Sequence, residues 1–142
     1  MIVPKMTPDQ LAEFLSVDRN AVIATVGADG LPQQTPVWFV YEDDTFYVSA
    51  QATTVKVRNL RNNPAVSICV DAGREAARYV VASGQAQLIP AGDPFQLEMR
   101  RRIIRKYHAD PEAADRYITA IEHTSSALVV LKPERIVSTT SG

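Results

Sequence analysis

Apolar and polar positions alternate with a period of two along most of this chain, and the alternation is broken at a few punctuated points. AVIATV (residues 21–26), TFYVSA (45–50), AVSICVD (65–71), RYVVASGQAQLI (78–89) and SALVVLKP (126–133) read as strands, with ERIVSTT (134–140) as a further one. GADG (27–30) carries hairpin-turn chemistry, and the extended run LPQQTPVWFVY follows it. Pro32 and Pro36 cannot donate to a ladder, so that run belongs at an edge, at a bulge or out of register. EDD makes the next turn, and the pattern predicts a meander of three strands in about thirty residues. Gly84, near the middle of its run, predicts a bulge or a sharp bend.

A helical period replaces the alternation in four places. TPDQLAEFLS has Thr7 as N-cap, Pro8 at the first helical position and Gln10 to close a capping box. Leu11, Phe14 and Leu15 fall on one face of it. TTVKVRNLRNN predicts a short helix capped by Thr53 or Thr54, with Val57 and Leu60 inward and Asn62-Asn63-Pro64 as its stop. DPFQLEMRRRIIRKYHA and PEAADRYITAIEH are also helical. The tally of six or seven mostly antiparallel strands with two or three helices predicts a small closed barrel, mainly β, with peripheral helices. A doubly wound fold is disfavoured, because the first strands are joined by turns too short for crossovers.

Length and composition narrow this further. At 142 residues the chain is expected to form one domain over 1–142, with a core that needs no staples. A net charge of −1 supplies no global field for nucleic acid or an anionic membrane, so any anion recognition is local. The aromatics do not interleave with the basic stretches, which also argues against a nucleic-acid barrel. The opening residues lack the apolar core of a signal peptide, and no run approaches a membrane span, so the expected location is the cytoplasm. Cys69, the one cysteine, lies within AVSICV and is read as a small buried hydrophobe.

The chemistry gathers in residues 49–71. Lys56, Arg58 and Arg61 stand together, and no acidic residue occurs from Thr45 to Val70. Cations in the first turn of a helix oppose its macrodipole by ~0.3–1 kcal/mol each at exposed positions. A bound phosphate would satisfy both these cations and the free amides of that turn. The bland alternative is a solvated helix face. His108 and His123 sit on or beside predicted helices without a metal-ligand partner at suitable spacing. No nucleophile elbow is present. Arg100, Arg101, Arg102, Arg105 and Lys106 form a second basic cluster, read as a solvated or contact face, or as a holder for an anionic cofactor tail.

The order of these features, with DGLPQQTPVWF and KVRNLRNNPAVS as its most specific parts, resembles the pyridoxamine-5′-phosphate-oxidase-like split-barrel family over residues 7 to 137. Within it, the chain is most similar to the small flavin and deazaflavin oxidoreductases. The resemblance implies a homodimer of six-stranded antiparallel split barrels with cofactor sites at the interface. It implies FMN or, in preference, coenzyme F420 as cofactor, with Lys56 on the phosphate. By position, Ser49, Ala50, Thr53 and Thr54 would line the phosphate and ribityl region, with Arg58 near an anionic tail. Gln34, Thr35, Pro36, Val37 and Trp38 would run beside the ring, and Tyr79 would reach a substrate across the dimer. Trp38 has an alternative place in the core, and Tyr79 one as an ordinary strand residue.

Two departures qualify the carry-over. Val55 stands where the FMN branch places an Arg before its lysine, and the C-terminal stretch holds Arg135 without the His that accompanies vitamin B6 oxidation. The implied activity is hydride transfer from the reduced cofactor to a small electron-poor acceptor. The alternative is a non-catalytic flavin, deazaflavin or haem carrier. In either case the cofactor brings the chemistry, and the protein binds and orients it.

Overall fold

The computed structural model describes residues 5–75 and 77–140. Its elements run α1 (Pro8–Ser16), β1 (Ala21–Val26), β2 (Pro32–Val37), β3 (Val40–Glu42), β4 (Thr45–Gln51), α2 (Val55–Asn62), β5 (Ala65–Asp71), β6 (Tyr79–Ile89), α3 (Pro94–Lys106), α4 (Pro111–Ile121), β7 (Ser126–Leu131) and β8 (Arg135–Thr139). The strand path is β2-β1-β5-β6-β7-β4-β3, with β8 on β6, and every pairing is antiparallel. Eight strands thus stand among the described residues where the sequence predicts six or seven, and the four α-helices fall on the four stretches read as helical, one more than the tally of two or three. The extra strand comes from LPQQTPVWFVY, which divides into β2 and β3.

That division corrects the three-strand meander. β1 pairs with β2, but β4 pairs with β3 and β7, so there are two separate hairpins. Only Trp38 and Phe39 join β2 to β3, the two ends of the strand path. A chain spans at most ~3.3–3.6 Å per residue. The two ends must therefore lie within about 11 Å of each other, and the sheet must curl into a barrel with its seam at this crossing.

Strand β6 makes the curl possible. Its first half pairs with β5 and β8, and its last four residues, Ala86–Ile89, pair with β7. Gly84 sits at the changeover, but the β5–β6 ladder runs through it without the bulge the sequence predicts. Close approach is what requires glycine there. A Cβ would lie 3.1 Å from Leu131 Cδ1 and 3.2 Å from the Glu134 amide nitrogen, and that amide donates to Ser83 O at 2.9 Å.

The barrel interior holds Ile23, Phe39, Phe46, Val48, Ile68, Val70, Val80, Val129 and Leu131, plugged by Phe14 and Leu15 from α1 and Leu60 from α2. The predicted capping box sets α1: Thr7 Oγ1 accepts from the Gln10 amide, and Gln10 Oε1 accepts from the Thr7 amide. Helix α3 covers the outside of β3, β4 and β7 through Met99 and Ile103 against Val40 and Leu128. Strand β7 is therefore buried on both faces.

Among the described residues, nothing covers the outer face of β1, β2 and β5. Register aligns Pro36, Val22, Cys69, Val81 and Val137 in one row across β2, β1, β5, β6 and β8. Cys69 is exposed in this row, against the expectation of a buried cysteine, because Val66, Ile68 and Val70 share the inward phase of β5. Burial by its neighbours and the nearby Asp71 carboxylate raise its thiol pKa. Part of the exposed turn read at 71–76 is a 3-10 turn at Gly73–Glu75, and Ala76 lies outside the described residues. Among the described residues no helix is long and apolar enough to cross a membrane.

Candidate functional site

A cavity of about 460 Å³ opens beside the seam. Pro36, Val37 and Trp38 reach it from the end of β2, Ser49, Ala50 and Gln51 from β4, and Thr54 and Lys56 from the start of α2. Ser126 comes from β7, Arg100, Ile103 and Ile104 from α3, and Tyr117 and Ile121 from α4, with Asn20 at the rim. The volume suits a small-molecule site, for which ~300–1,000 Å³ is usual.

Trp38 forms an aromatic wall and is held rigidly. It stacks on Tyr107 with ring centroids 4.9 Å apart and planes at 10°, and meets the edge of His108 at 5.7 Å. Tyr107 donates its hydroxyl to Arg19 O at 2.5 Å and accepts from the Phe39 amide at 3.3 Å. Burial pushes its phenol up to about 12, so it stays protonated as a brace. His108 Nδ1 lies 2.7 Å from Ile104 O, which ties the same turn to α3.

The electrostatics point the other way from the global charge. Lys56 and Arg100 line the cavity, and among the described residues no carboxylate does. Lys56 is half-buried, and burial lowers its ammonium pKa. It makes no hydrogen bond or ion pair with the described residues. The N-cap Thr54 leaves the helix start unfilled, because its hydroxyl donates back to Gln51 O at 2.8 Å. The ladder of α2 begins with Arg58 N to Thr54 O at 3.1 Å. The amides of Val55, Lys56 and Val57 find no acceptor among the described residues, which is a ready anion seat.

The second basic cluster separates into distinct jobs. Arg102 pairs with Glu42, and Arg105 lies 3.8 Å from Asp115. Lys106 Nζ donates to Leu15 O and Phe39 O, both at 2.9 Å, over the Phe39 ring, and burial lowers its pKa to about 8. Arg100 is 8% exposed and points back under α4. It donates to Thr124 O and Ile121 O at 3.0 Å each and to Thr124 Oγ1 at 2.5 Å. Its charge thereby meets the negative end of α4 and faces the cavity at once.

Of the residues singled out from sequence, Pro36, Val37, Trp38, Ser49, Ala50, Thr54 and Lys56 meet at this cavity. Gln34 faces outward on β2, and Thr35 turns inward with its hydroxyl oxygen buried and without a partner. Thr53 is exposed beside the helix start. Arg58 lines a different groove, about 800 Å³, between α2 and the β1–β2 loop. That groove is larger but lacks an aromatic wall. Tyr79 is 40% exposed on the uncovered sheet face. Tyr117, Ile121 and Ser126 complete the cavity without having been singled out from sequence, and of the second basic cluster, read as a solvated or contact face or as a holder for an anionic tail, Arg100 alone lines it, a charged residue at an apolar phase of α3.

The barrel has parallels among known proteins. Residues 7–139 match the family described as pyridoxamine 5′-phosphate oxidase. The chain belongs to that family. Its split-barrel fold recurs in a conserved hypothetical protein of Mycobacterium tuberculosis, at 23% identity and TM-score 0.76, covering 96% of this chain and 86% of the other. An F420 reductase matches at 22% identity and TM-score 0.67, covering 88% of this chain and 94% of the other. The haem storage protein of Vibrio cholerae matches at 20% identity and TM-score 0.75, covering 95% and 96%. Identities this low speak for the shared fold. The cavity offers an aromatic wall suited to a planar ring, with an unpaired cation at a helix start suited to a phosphate.

Proposed function

We propose that this protein is an oxidoreductase that transfers hydride between coenzyme F420, or FMN, and a small electron-poor organic acceptor. One observation carries the reading: Lys56, unpaired among the described residues, lines the same cavity as the braced ring of Trp38, at the start of a helix whose N-cap side chain makes no capping hydrogen bond. The bound cofactor supplies the hydride chemistry. Lys56, Thr54 and the start of α2 hold its phosphate, while Pro36, Val37 and Trp38 bear on its ring. Ile103, Ile104 and Ile121 keep water from the far wall. Haem is the less suitable occupant, since of the usual axial ligands the cavity lining offers only a tyrosine, Tyr117.

The reading includes a homodimer. The apolar row from Pro36 to Val137 is an uncovered sheet face, with Val22 and Val137 each 38% exposed. Pro36 belongs both to that row and to the cavity lining, so a second copy docked there would close over the rim. Titration of the purified protein with FMN and with F420, followed by ligand fluorescence, tests the proposal. Tight binding of one, with protein-dependent oxidation of its reduced form by a nitro or quinone acceptor, is expected. Binding of neither at millimolar concentration would sink it. Binding without turnover of any acceptor would reduce the protein to a carrier.

A further inference from the structure

We infer that Ser126, positioned by Gln96, is a ligand-binding hydroxyl that donates into the cavity to an anionic oxygen, a phosphate or a carboxylate, of the molecule bound there. The inference rests on the cavity being the ligand site. Gln96 is 1% exposed in α3, and its Nε2 donates to Ser126 Oγ at 2.6 Å. Its Oε1 is buried without a partner. Turning the amide over would give Oε1 a proton from Ser126 and orphan the NH2 instead. Either way one end is left over in the interior, an arrangement an apolar residue of the same volume would avoid. A polar pair kept in a core under that cost has a purpose outside the core.

The hydrogen-bond directions indicate the purpose. With Nε2 donating, Ser126 Oγ is an acceptor, and its own proton has no acceptor among the described residues. Ser126 is 2% exposed, and the space it lines is the cavity. Strand pairing places it opposite Gln51, whose carbonyl anchors Thr54 at the start of α2, so it shares a corner with Lys56. Arg100 lies one turn beyond Gln96 on the same face of α3. Three of its donor contacts go to Ile121 and Thr124, so of five N–H groups some remain for a ligand. An oxygen that accepts from Ser126 thus sits in the field of two cations with no carboxylate opposing them, which selects an anion.

Calorimetric titration of the full chain with FMN, riboflavin, F420 and inorganic pyrophosphate tests this, using wild type, Ser126→Ala, Ser126→Cys, Gln96→Met and Lys56→Ala. Ser126→Ala is expected to weaken FMN or F420 about tenfold and to leave riboflavin within twofold. Loss with FMN identifies the phosphate as the acceptor; loss with F420 alone identifies a carboxylate. Gln96→Met is expected to give the same ligand-selective loss, which a merely structural role would not. Equal loss with riboflavin, or no loss with any ligand, overturns the inference, and Ser126→Cys guards against a folding artefact. If wild type binds no flavin or F420, the proposed function fails, and pyrophosphate still decides the subsite. Weakening by both Ser126→Ala and Lys56→Ala supports it; weakening by Lys56→Ala alone, or no pyrophosphate binding, overturns it.

Discussion

Replacing Lys56 by Met keeps the aliphatic stem and removes the charge, which isolates the ammonium's part in holding a phosphate. At an effective dielectric of ~20 and ~4 Å, an ammonium and one phosphate charge attract by about 4 kcal/mol. Lys56 is half-buried, and burial already disfavours its charged form, so part of that is spent on desolvation. A net of about 2 kcal/mol is in line with hydrogen bonds to charged groups and corresponds to a thirtyfold loss of FMN affinity. Riboflavin, which lacks the phosphate, is expected to bind wild type and Lys56→Met within twofold of each other. The four dissociation constants, from fluorescence quenching at fixed salt, form a cycle whose coupling energy is the Lys56–phosphate term. The sign of the pH dependence follows. Free protein releases the Lys56 proton below the ordinary lysine pKa, whereas a bound phosphate holds it, so FMN affinity falls as pH rises through the free-protein value. Lys56→Met removes that fall. Equal losses for FMN and riboflavin, or a pH profile untouched by the substitution, would refute the assignment.

Gly84→Ala puts a Cβ against the backbone nitrogen of Glu134, and is expected to cost about 1–3 kcal/mol in urea unfolding; an unchanged midpoint would remove close approach as the reason for glycine. Lys106 has a folded pKa lowered to about 8 from 10.5, so between those values the unfolded chain binds the extra proton and stability rises with pH. The difference in urea midpoint between wild type and Lys106→Met should therefore shift in favour of wild type from pH 7 to pH 9.5, and a pH-independent difference contradicts the buried-lysine account. Val81→Lys places a charge within the apolar row, between Cys69 and Val137, and is expected to give a folded monomer in sedimentation; an unaltered mass would place any dimer contact elsewhere.

What the sequence disclosed follows the range of the interaction involved. The α1 capping box is a contact between residues three apart, and it is legible in TPDQ. The β2–β3 crossing is not, because Trp38 and Phe39 lie in an unbroken apolar run and only the long-range pairing of β4 with β7 separates the two strands. Cys69 illustrates a local signal passed over: strand phase puts it outward, whatever its composition suggests. In the cavity, residues of β2, β4 and α2 stand close together in sequence and were readable as a group. The opposite wall depends on where α3 and α4 dock. Arg100 hides within RRR, where burial alone sets it apart from Arg101 and Arg102. A phase argument was nonetheless available, since Gln96, Met99, Arg100 and Ile103 share one helical face, and polar residues at two apolar positions mark a place where the core is asked to do something else.

The position of the cavity at the seam has an energetic consequence. Curling the sheet leaves β2 and β3 as its two terminal strands, brought together by a two-residue crossing, and unpaired edges are normally a liability. Here Pro32 and Pro36 remove amide donors from β2, α3 covers β3, and the remaining gap is the cavity itself. Ligand groups can then meet backbone and helix-end amides that no strand claims, without any break in the barrel core of Ile23, Ile68, Val80 and Val129. Stability and binding should for that reason be separable. Gly84→Ala strains the changeover in β6, which lines no part of the cavity, so it should lower the unfolding midpoint and leave flavin affinity intact. Lys56→Met relieves an unpaired cation, so it should lower affinity and leave the midpoint equal or higher. A set of variants in which both quantities fell together would mean that the cavity and the barrel core are one cooperative unit, and that the seam is not where binding and folding part.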